Sequence, residues 1–159
     1  MRNRLFILLA ATVLAFAACD NKTVYHHYEH ASTGGWDKND TMKFSIPPIQ
    51  KAGQYQEEVE LRITNDYPFL GLTLLLEQTV MPMGKQERKM ERQSLEYTLL
   101  TSEGHPIGTG VKHFNYSFRL KDLHLNEGDS LQINIVHNMK REIMPGISDI
   151  GIKLSEGRD

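Results

Sequence analysis

From Trp36 onward, apolar and polar residues take turns along the chain, and the runs are short. Met42, Phe44 and Ile46 alternate with Lys43 and Ser45 until Pro47-Pro48 ends the run. Val59, Leu61 and Ile63 alternate with Glu58, Glu60, Arg62 and Thr64. A period of two sends one set of side chains to a core and the other to water, which predicts half-buried strands. Asn65-Asp66-Tyr67-Pro68 predicts a turn. Residues 72–80 carry Leu72, Leu74, Leu75, Leu76 and Val80 and predict a strand covered on both faces. Leu95, Tyr97 and Leu99 alternate next, followed by Phe114, Tyr116 and Phe118. The turn Asn126-Glu127-Gly128-Asp129 leads into Leu131, Ile133 and Ile135. Pro145-Gly146 breaks the chain once more, since Pro145 presets a backbone angle and Gly146 accepts a positive φ. Ile150, Ile152 and Leu154 then share one face, with Asp149, Gly151 and Lys153 on the other.

Seven or eight short strands separated by turns define an all-β chain, a single antiparallel β-sandwich of jelly-roll-like form. Residues 84–93 could form a helical turn, but they are charged nearly all round, with Met90 their only apolar residue. They read as a solvated loop between strands. The sandwich domain is expected over residues 36–159. Residues 19–35 read as a tether, because His26-His27-Tyr28-Glu29-His30 has no period and Ser32-Thr33-Gly34-Gly35 is a flexible composition. A short strand over residues 24–28 would fit inside it.

Residues 1–18 are of a different kind. Arg2 and Arg4 precede an apolar run over residues 5–16, interrupted only by Thr12, and Ala17-Ala18 follows. This is a signal peptide and not fold material. Its run is too short to cross a bilayer, which needs about 20 apolar residues. Phe16-Ala17-Ala18-Cys19 resembles the bacterial lipobox, with Phe16 departing from the usual leucine. The implied chemistry is a thioether from Cys19 to a diacylglyceryl group, with further fatty acylation such as palmitate. One acyl chain anchors only marginally, whereas several on one cysteine hold firmly. Cys19 is the one cysteine in the chain, so no intrachain disulfide can form, and lipidation accounts for its solitude.

Charge adds little. The 18 Lys and Arg residues face 20 Asp and Glu, a formal charge of -2, and loss of the leader removes two of the basic ones. That balance predicts no nucleic-acid partner and no polybasic membrane contact. The expected membrane attachment is the lipid on Cys19, in the cell envelope.

Candidate chemistry is sparse. Seven histidines raise the question of a metal. His26, His27 and His30 fall in the expected tether, and His105, His113, His124 and His137 are scattered, so no spacing suggests a fixed ligand set. No metal and no cofactor are expected. Gly108-Thr109-Gly110 lacks the third glycine and the strand-to-helix setting of a nucleotide loop, and predicts a tight turn or bulge. No nucleophile–base pair and no paired carboxylates stand out, so catalytic residues are not expected and neither is an enzyme. Trp36, Tyr25, Tyr28, Tyr55, Tyr67 and Phe69 lie outside the clearest strand cores. They are either plugs at the ends of the core or a platform for sugar rings. A glycan-binding module is therefore the alternative function, decided by whether Trp36 is buried.

The chain resembles the GldH family of gliding-motility lipoproteins of the Bacteroidetes over nearly its whole length. The resemblance rests on Cys19, Val24-Tyr25, Trp36, residues 40–44, Leu61-Arg62 and Asn65-Asp66-Tyr67-Pro68. Gly104, Gly108 and Gly110 match a glycine-spaced loop of the family. Its most specific part is Met139-Lys140-Arg141 followed by Pro145-Gly146-Ile147-Ser148-Asp149-Ile150-Gly151-Ile152. His105-Pro106 departs from the pattern, and the 84–93 loop is unusually basic. The resemblance implies a non-enzymatic envelope component, acting with other proteins of a motility and secretion machinery.

Overall fold

The computed structural model describes residues 23–84 and 87–157. The expected leader and Cys19 lie outside the described residues. The strands are β1 (Thr23–His30), β2 (Trp36–Asp37), β3 (Met42–Ile46), β4 (Gly53–Thr64), β5 (Gly71–Met81) and β6 (Lys89–Thr98). They continue as β7 (Thr109–Gly110), β8 (His113–Leu125), β9 (Ser130–His137), β10 (Ile143–Met144) and β11 (Ile147–Glu156). One sheet runs β1-β11-β4-β8-β7 and a second runs β3-β9-β5-β6, while β2 and β10 form a two-residue clip. All pairings are antiparallel.

With the two-residue pieces set aside, the eight long strands in chain order lie 1-8-3-6 in one sheet and 2-7-4-5 in the other. That order is the jelly roll, two interlocked Greek keys. It sends the connections alternately to opposite ends. The β1–β3, β4–β5, β6–β8 and β9–β11 connections share one end. The start of β1, the end of β11 and the β3–β4, β5–β6 and β8–β9 turns share the other.

The core is what the alternation predicted. Phe44, Val59, Leu61, Ile63, Leu74, Leu131, Ile133, Ile135, Ile150, Ile152 and Leu154 are all buried between the sheets. Burying each such side chain stabilises by about 1.5–3 kcal/mol. Two strands change parity partway to keep this up. On β8, Phe114, Tyr116 and Phe118 face Ile63, Leu61 and Val59, but Lys121 pairs with Glu57 and Arg119 with Glu58. Leu120 is the extra residue of that bulge, and it returns Leu123 and Leu125 to the inner face. On β11 the register shifts between Ile147 and Asp149, so Ser148 is the extra residue and Ile147 and Ile150 both point inward.

Three expectations need correction. Thr23–His30, expected to fall in a tether over residues 19–35, is a full edge strand paired with β11 from Thr23 opposite Ser155 to His30 opposite Asp149. His26, Tyr28 and His30 add no hydrophobic period because their partners are Glu60 and Asp149 on the outer face of the sheet. Residues 72–80 are covered on one face only: Leu72, Leu74, Leu76 and Gln78 are buried, while Leu75 is 40% exposed. The solvated loop does not extend to residue 93, since β6 begins at Lys89. As the outer strand of its sheet it needs no apolar period over its first half, so only Leu95 and Tyr97 marked it in the sequence.

Candidate functional site

The four connections at one end carry most of the residues on which the family resemblance rests. The first holds Trp36, the second Asn65-Asp66-Tyr67-Pro68, the third Gly104, Gly108 and Gly110, and the fourth Met139-Lys140-Arg141 and Pro145-Gly146. They are far apart in sequence and are knitted together in space.

Trp36 is the peg. Its ring is wholly buried, its indole N–H donates to the Asp40 carbonyl at 2.8 Å, and it meets the His137 ring edge-on at a centroid distance of 5.2 Å. His137 Nε2 lies 3.1 Å from the Trp36 carbonyl oxygen. Burial lowers the His137 pKa, against hydrogen bonds to Trp36 and Glu142 that raise it, so the imidazole is neutral near pH 7. β2 pairs with β10, Lys38 N–H donates to the Glu142 carbonyl at 2.8 Å, and Lys38 Nζ reaches the Met139 carbonyl at 3.0 Å. The first and fourth loops are thus one unit.

Gly146 joins the fourth loop to the second. Its φ is 75°, and a side chain there would strike the backbone nitrogen of Tyr67. The Thr64 N–H donates to the Gly146 carbonyl at 2.8 Å. Tyr67 itself is buried, with its hydroxyl donating to the Gly71 carbonyl at 2.7 Å. The Leu99 and Leu100 N–H groups both donate to the Leu70 carbonyl, at 2.8 and 3.0 Å. Tyr116 OH donates to the Leu99 carbonyl at 2.7 Å. Gly108 sits against the Tyr116 ring with no room for a side chain. The second and third loops are therefore also braced. Above this scaffold Leu70, Ile107, Val111 and Ile143 stand 54%, 53%, 84% and 46% exposed. These four apolar side chains are thus carried on braced loops at one end of the sandwich.

Below the loops, the outer face of the five-stranded sheet holds a polar lattice. One row reads His30, Asp149, Arg62, Asn115 and the next reads Tyr28, Gly151, Glu60, Ser117. Arg62 donates to Asp149 at 3.2 Å and to Asn115 at 2.9 Å, and its guanidinium lies 4.9 Å from the centre of the Tyr28 ring. Tyr28 covers Gly151, where a side chain would collide with the ring, and its hydroxyl donates to Glu60. Burial, then the hydrogen bond to Glu60 and that residue's charge, push the Tyr28 pKa up to about 12. Asp149 hydrogen-bonds His30 and Ser148. Burial works to raise its pKa, but Ser148, His30 and the Arg62 charge outweigh that and hold it below the usual carboxylate value. Arg62, Asp149 and Gly151, separate in the sequence motif, thus form one assembly that pins β1 to β11 and β4.

The other residues singled out from sequence fall as follows. His26 pairs with Glu60 at 2.7 Å and His27 with Glu29 at 3.2 Å, and no group of three or more candidate metal ligands occurs among the described residues. Gly108-Thr109-Gly110 ends in the two-residue strand β7 with Gly110 at φ 139°, a tight turn as expected. Trp36, Tyr55 and Tyr67 are core plugs, which leaves the glycan alternative without half of the six aromatics it relied on, Trp36 among them. Sequence reasoning missed one feature: Glu57 is fully buried, although it falls on the inner parity of β4 with Tyr55, Val59 and Leu61 and could have been read from that position.

Fold and site together define a jelly-roll module with a braced loop platform at the end opposite the start of β1. The sequence profile of the GldH lipoprotein family matches residues 23–154, so the chain belongs to that family. A gliding motility lipoprotein GldH homolog of Christiangramia forsetii is 26% identical over 91% of both chains. The gliding motility lipoprotein GldH of Flavobacterium johnsoniae is 25% identical over 94% of both. Among solved structures, a Sulfurospirillum deleyianum protein aligns with 85% of this chain and 99% of its own at 9% identity and a TM-score of 0.43, a likeness too loose to bear on function.

Proposed function

We propose that this protein is a structural or assembly component of the envelope machinery associated with gliding and secretion, held to a membrane by acyl chains on Cys19 and docking another envelope protein through its loop platform. The observation that carries the reading is the convergence of four motif-bearing loops on the end opposite the start of β1. A tethered protein presents that end away from its anchor, where a partner reaches it. The exposed apolar side chains of Leu70, Ile107, Val111 and Ile143 support binding as the chemistry of this surface.

Two measurements in the native host test the proposal. Cys19→Ala should move the protein from the detergent phase to the soluble envelope fraction, and unchanged partitioning would dispose of the anchor. A photocrosslinking side chain at Val111 or Ile143 should capture one discrete envelope protein, while the same group at Ser94 on the outer side of β6 should not. Equal labelling from all three positions would remove the docking role.

A further inference from the structure

We infer that the pocket between the β3–β4 turn and the ends of β1 and β11 is a headgroup site for a zwitterionic bilayer lipid of the phosphatidylethanolamine type, a phosphate joined to a primary ammonium. The inference rests on the proposed lipidation of Cys19. Four residue steps separate Cys19 from Thr23, where β1 begins, and a fully extended chain covers at most about 14 Å over that stretch. The end of the sandwich that holds Thr23 is therefore kept close to the bilayer. The pocket lies at that end. It is lined by Thr23 and Val24 of β1, residues 46–51 of the β3–β4 connection, Tyr55 of β4 and Glu156 of β11. Its volume of about 430 Å³ falls within the range of about 300 to 1,000 Å³ usual for small-molecule sites.

The walls are held in place from several sides. Pro47 and Pro48 fix their own φ angles. The Ile49 N–H donates to the Asp129 carbonyl and the Gly128 N–H to the Ile49 carbonyl, both at 2.8 Å, which ties this connection to the β8–β9 turn. The Tyr55 hydroxyl donates to the Lys51 carbonyl at 2.5 Å. Val24 is the extra residue of a bulge, since the register shifts between Thr23 and Tyr25. Ile46, Ile49 and Tyr55 are buried and form the floor, whereas Gln50 and Lys51 are exposed at the rim.

Two charged side chains of opposite sign line the pocket, Lys51 and Glu156. Among the described residues neither takes part in an ion pair, with the other or with anything else. Burial first, and the Glu156 charge second, raise the Tyr55 pKa, so the carboxylate lies near the phenol at the floor. Glu156 stands in the ladder opposite Tyr55, while Lys51 sits on the exposed turn before β4 begins. A headgroup rising from the bilayer offers its charges in the matching order, phosphate first and ammonium beyond it. Its phosphate oxygens accept from Lys51 and its ammonium donates to Glu156, both charge-assisted hydrogen bonds. A choline headgroup has no N–H to donate and calls for a cage of aromatic faces, whereas Tyr55 is the one aromatic residue lining this pocket. An anionic headgroup satisfies Lys51 but sets a like charge against Glu156. Asp20, Lys22, Arg158 and Asp159 lie close in sequence to β1 and β11 but outside the described residues, and enter neither side of this pairing. One such contact is weak in solution, but the anchor holds the pocket at a surface dense in headgroups, which raises their effective concentration.

The test uses the lipidated mature protein on vesicles of phosphatidylcholine, phosphatidylethanolamine and phosphatidylglycerol in equal parts. A photocrosslinking side chain replaces Gln50 at the rim or, as a control, Glu127 on the β8–β9 turn of the same end. Mass spectrometry identifies the captured lipid. Adducts at position 50 should be enriched severalfold in phosphatidylethanolamine relative to those at position 127. Lys51→Met and Glu156→Gln should each abolish that enrichment while leaving Tm at the wild-type value. Adducts of the same composition at both positions, on protein that sediments with the vesicles, overturn the site and leave the anchor intact. Enrichment in phosphatidylglycerol instead reduces the pocket to a basic rim and overturns the zwitterion. Enrichment that survives both substitutions overturns the roles given to Lys51 and Glu156. Protein that stays in the supernatant overturns the anchor, and the inference with it.

Discussion

Replacing Glu57 by glutamine should flatten the pH dependence of stability between about pH 5 and pH 8. Glu57 has no solvent exposure. Gln78 Nε2 donates to one of its oxygens at 3.0 Å, and the other oxygen has no hydrogen-bond partner among the described residues. Burial pushes its pKa from 4.5 to about 7, with Lys121 and the Gln78 hydrogen bond opposing and the Glu91 charge adding to the rise. Lys121 offsets little because it is engaged with Glu91 at 2.8 Å. In this window the folded state binds a proton that the unfolded state has lost, so stability falls as pH rises. The stabilising share is fully present below about pH 4.5 and gone above about pH 7. At about 1.4 kcal/mol per pH unit the loss comes to about 3 kcal/mol. Glutamine has nearly the same shape and cannot ionise. His137 titrates with the opposite sign in part of this range, because its folded pKa is lowered, but it sits at the other end of the sandwich and acts equally in both proteins. The assay is urea unfolding of the lipid-free mature chain at several pH values, followed by fluorescence of Trp36, the single tryptophan. Parallel stability curves for wild type and Glu57→Gln from pH 5 to 8 would refute the argument.

Gly146→Ala should destabilise by about 2 kcal/mol or more, from the left-handed backbone and the collision with Tyr67 together, visible as a lowered Tm. Truncation before Ile147 removes Ile150, Ile152 and Leu154 and the ladders to both β1 and β4, a loss comparable with the roughly 5–15 kcal/mol that holds a domain together. The truncated chain should show no cooperative melt, and a melt near the full-length temperature would contradict the core assignment. Lys153→Met, by contrast, breaks a half-exposed pair with Glu58 and should cost about 1 kcal/mol or less in the same melt. Arg62→Met should cost about 2–3 kcal/mol in urea unfolding, because it strips a cation from buried Asp149, and an unchanged midpoint would count against the lattice.

The strands that face water on one side and the core on the other were legible from alternation alone, as on β3, β4 and β9. β1 and the first half of β6 were not. They satisfy their polar side chains sideways, on Glu60, Asp149 and Glu77, so these stretches carry no hydrophobic period, whereas Leu95 and Tyr97 marked the second half of β6. Bulges also blur the pattern: alternation on β8 is clear to Phe118 and resumes at Leu123 on the opposite parity, which a strict period reads as its end. The site was legible only in parts. Pro145-Gly146 and Trp36 are visible as a turn and a plug, but nothing local says that the first closes on Tyr67 and the second on His137. Pairings over such sequence distances are a property of the jelly-roll order, not of any segment.

β1 has a mechanical consequence. It lies beside β11 in antiparallel register from Thr23 opposite Ser155 to His30 opposite Asp149, and under the proposed lipidation of Cys19 its first residue leads toward the anchor. Traction between anchor and loop platform therefore acts along the strand axis. Hydrogen bonds of an antiparallel ladder run perpendicular to the strands, so this pull shears them. Sheared rungs share the force and must yield together, whereas rungs peeled from one end yield singly. The Tyr28 ring over Gly151 and the His30–Asp149 contact resist the same sliding from the outer face. Anchored as proposed, the module bears tension along its length and is weakest to a load that lifts β1 sideways off the sheet.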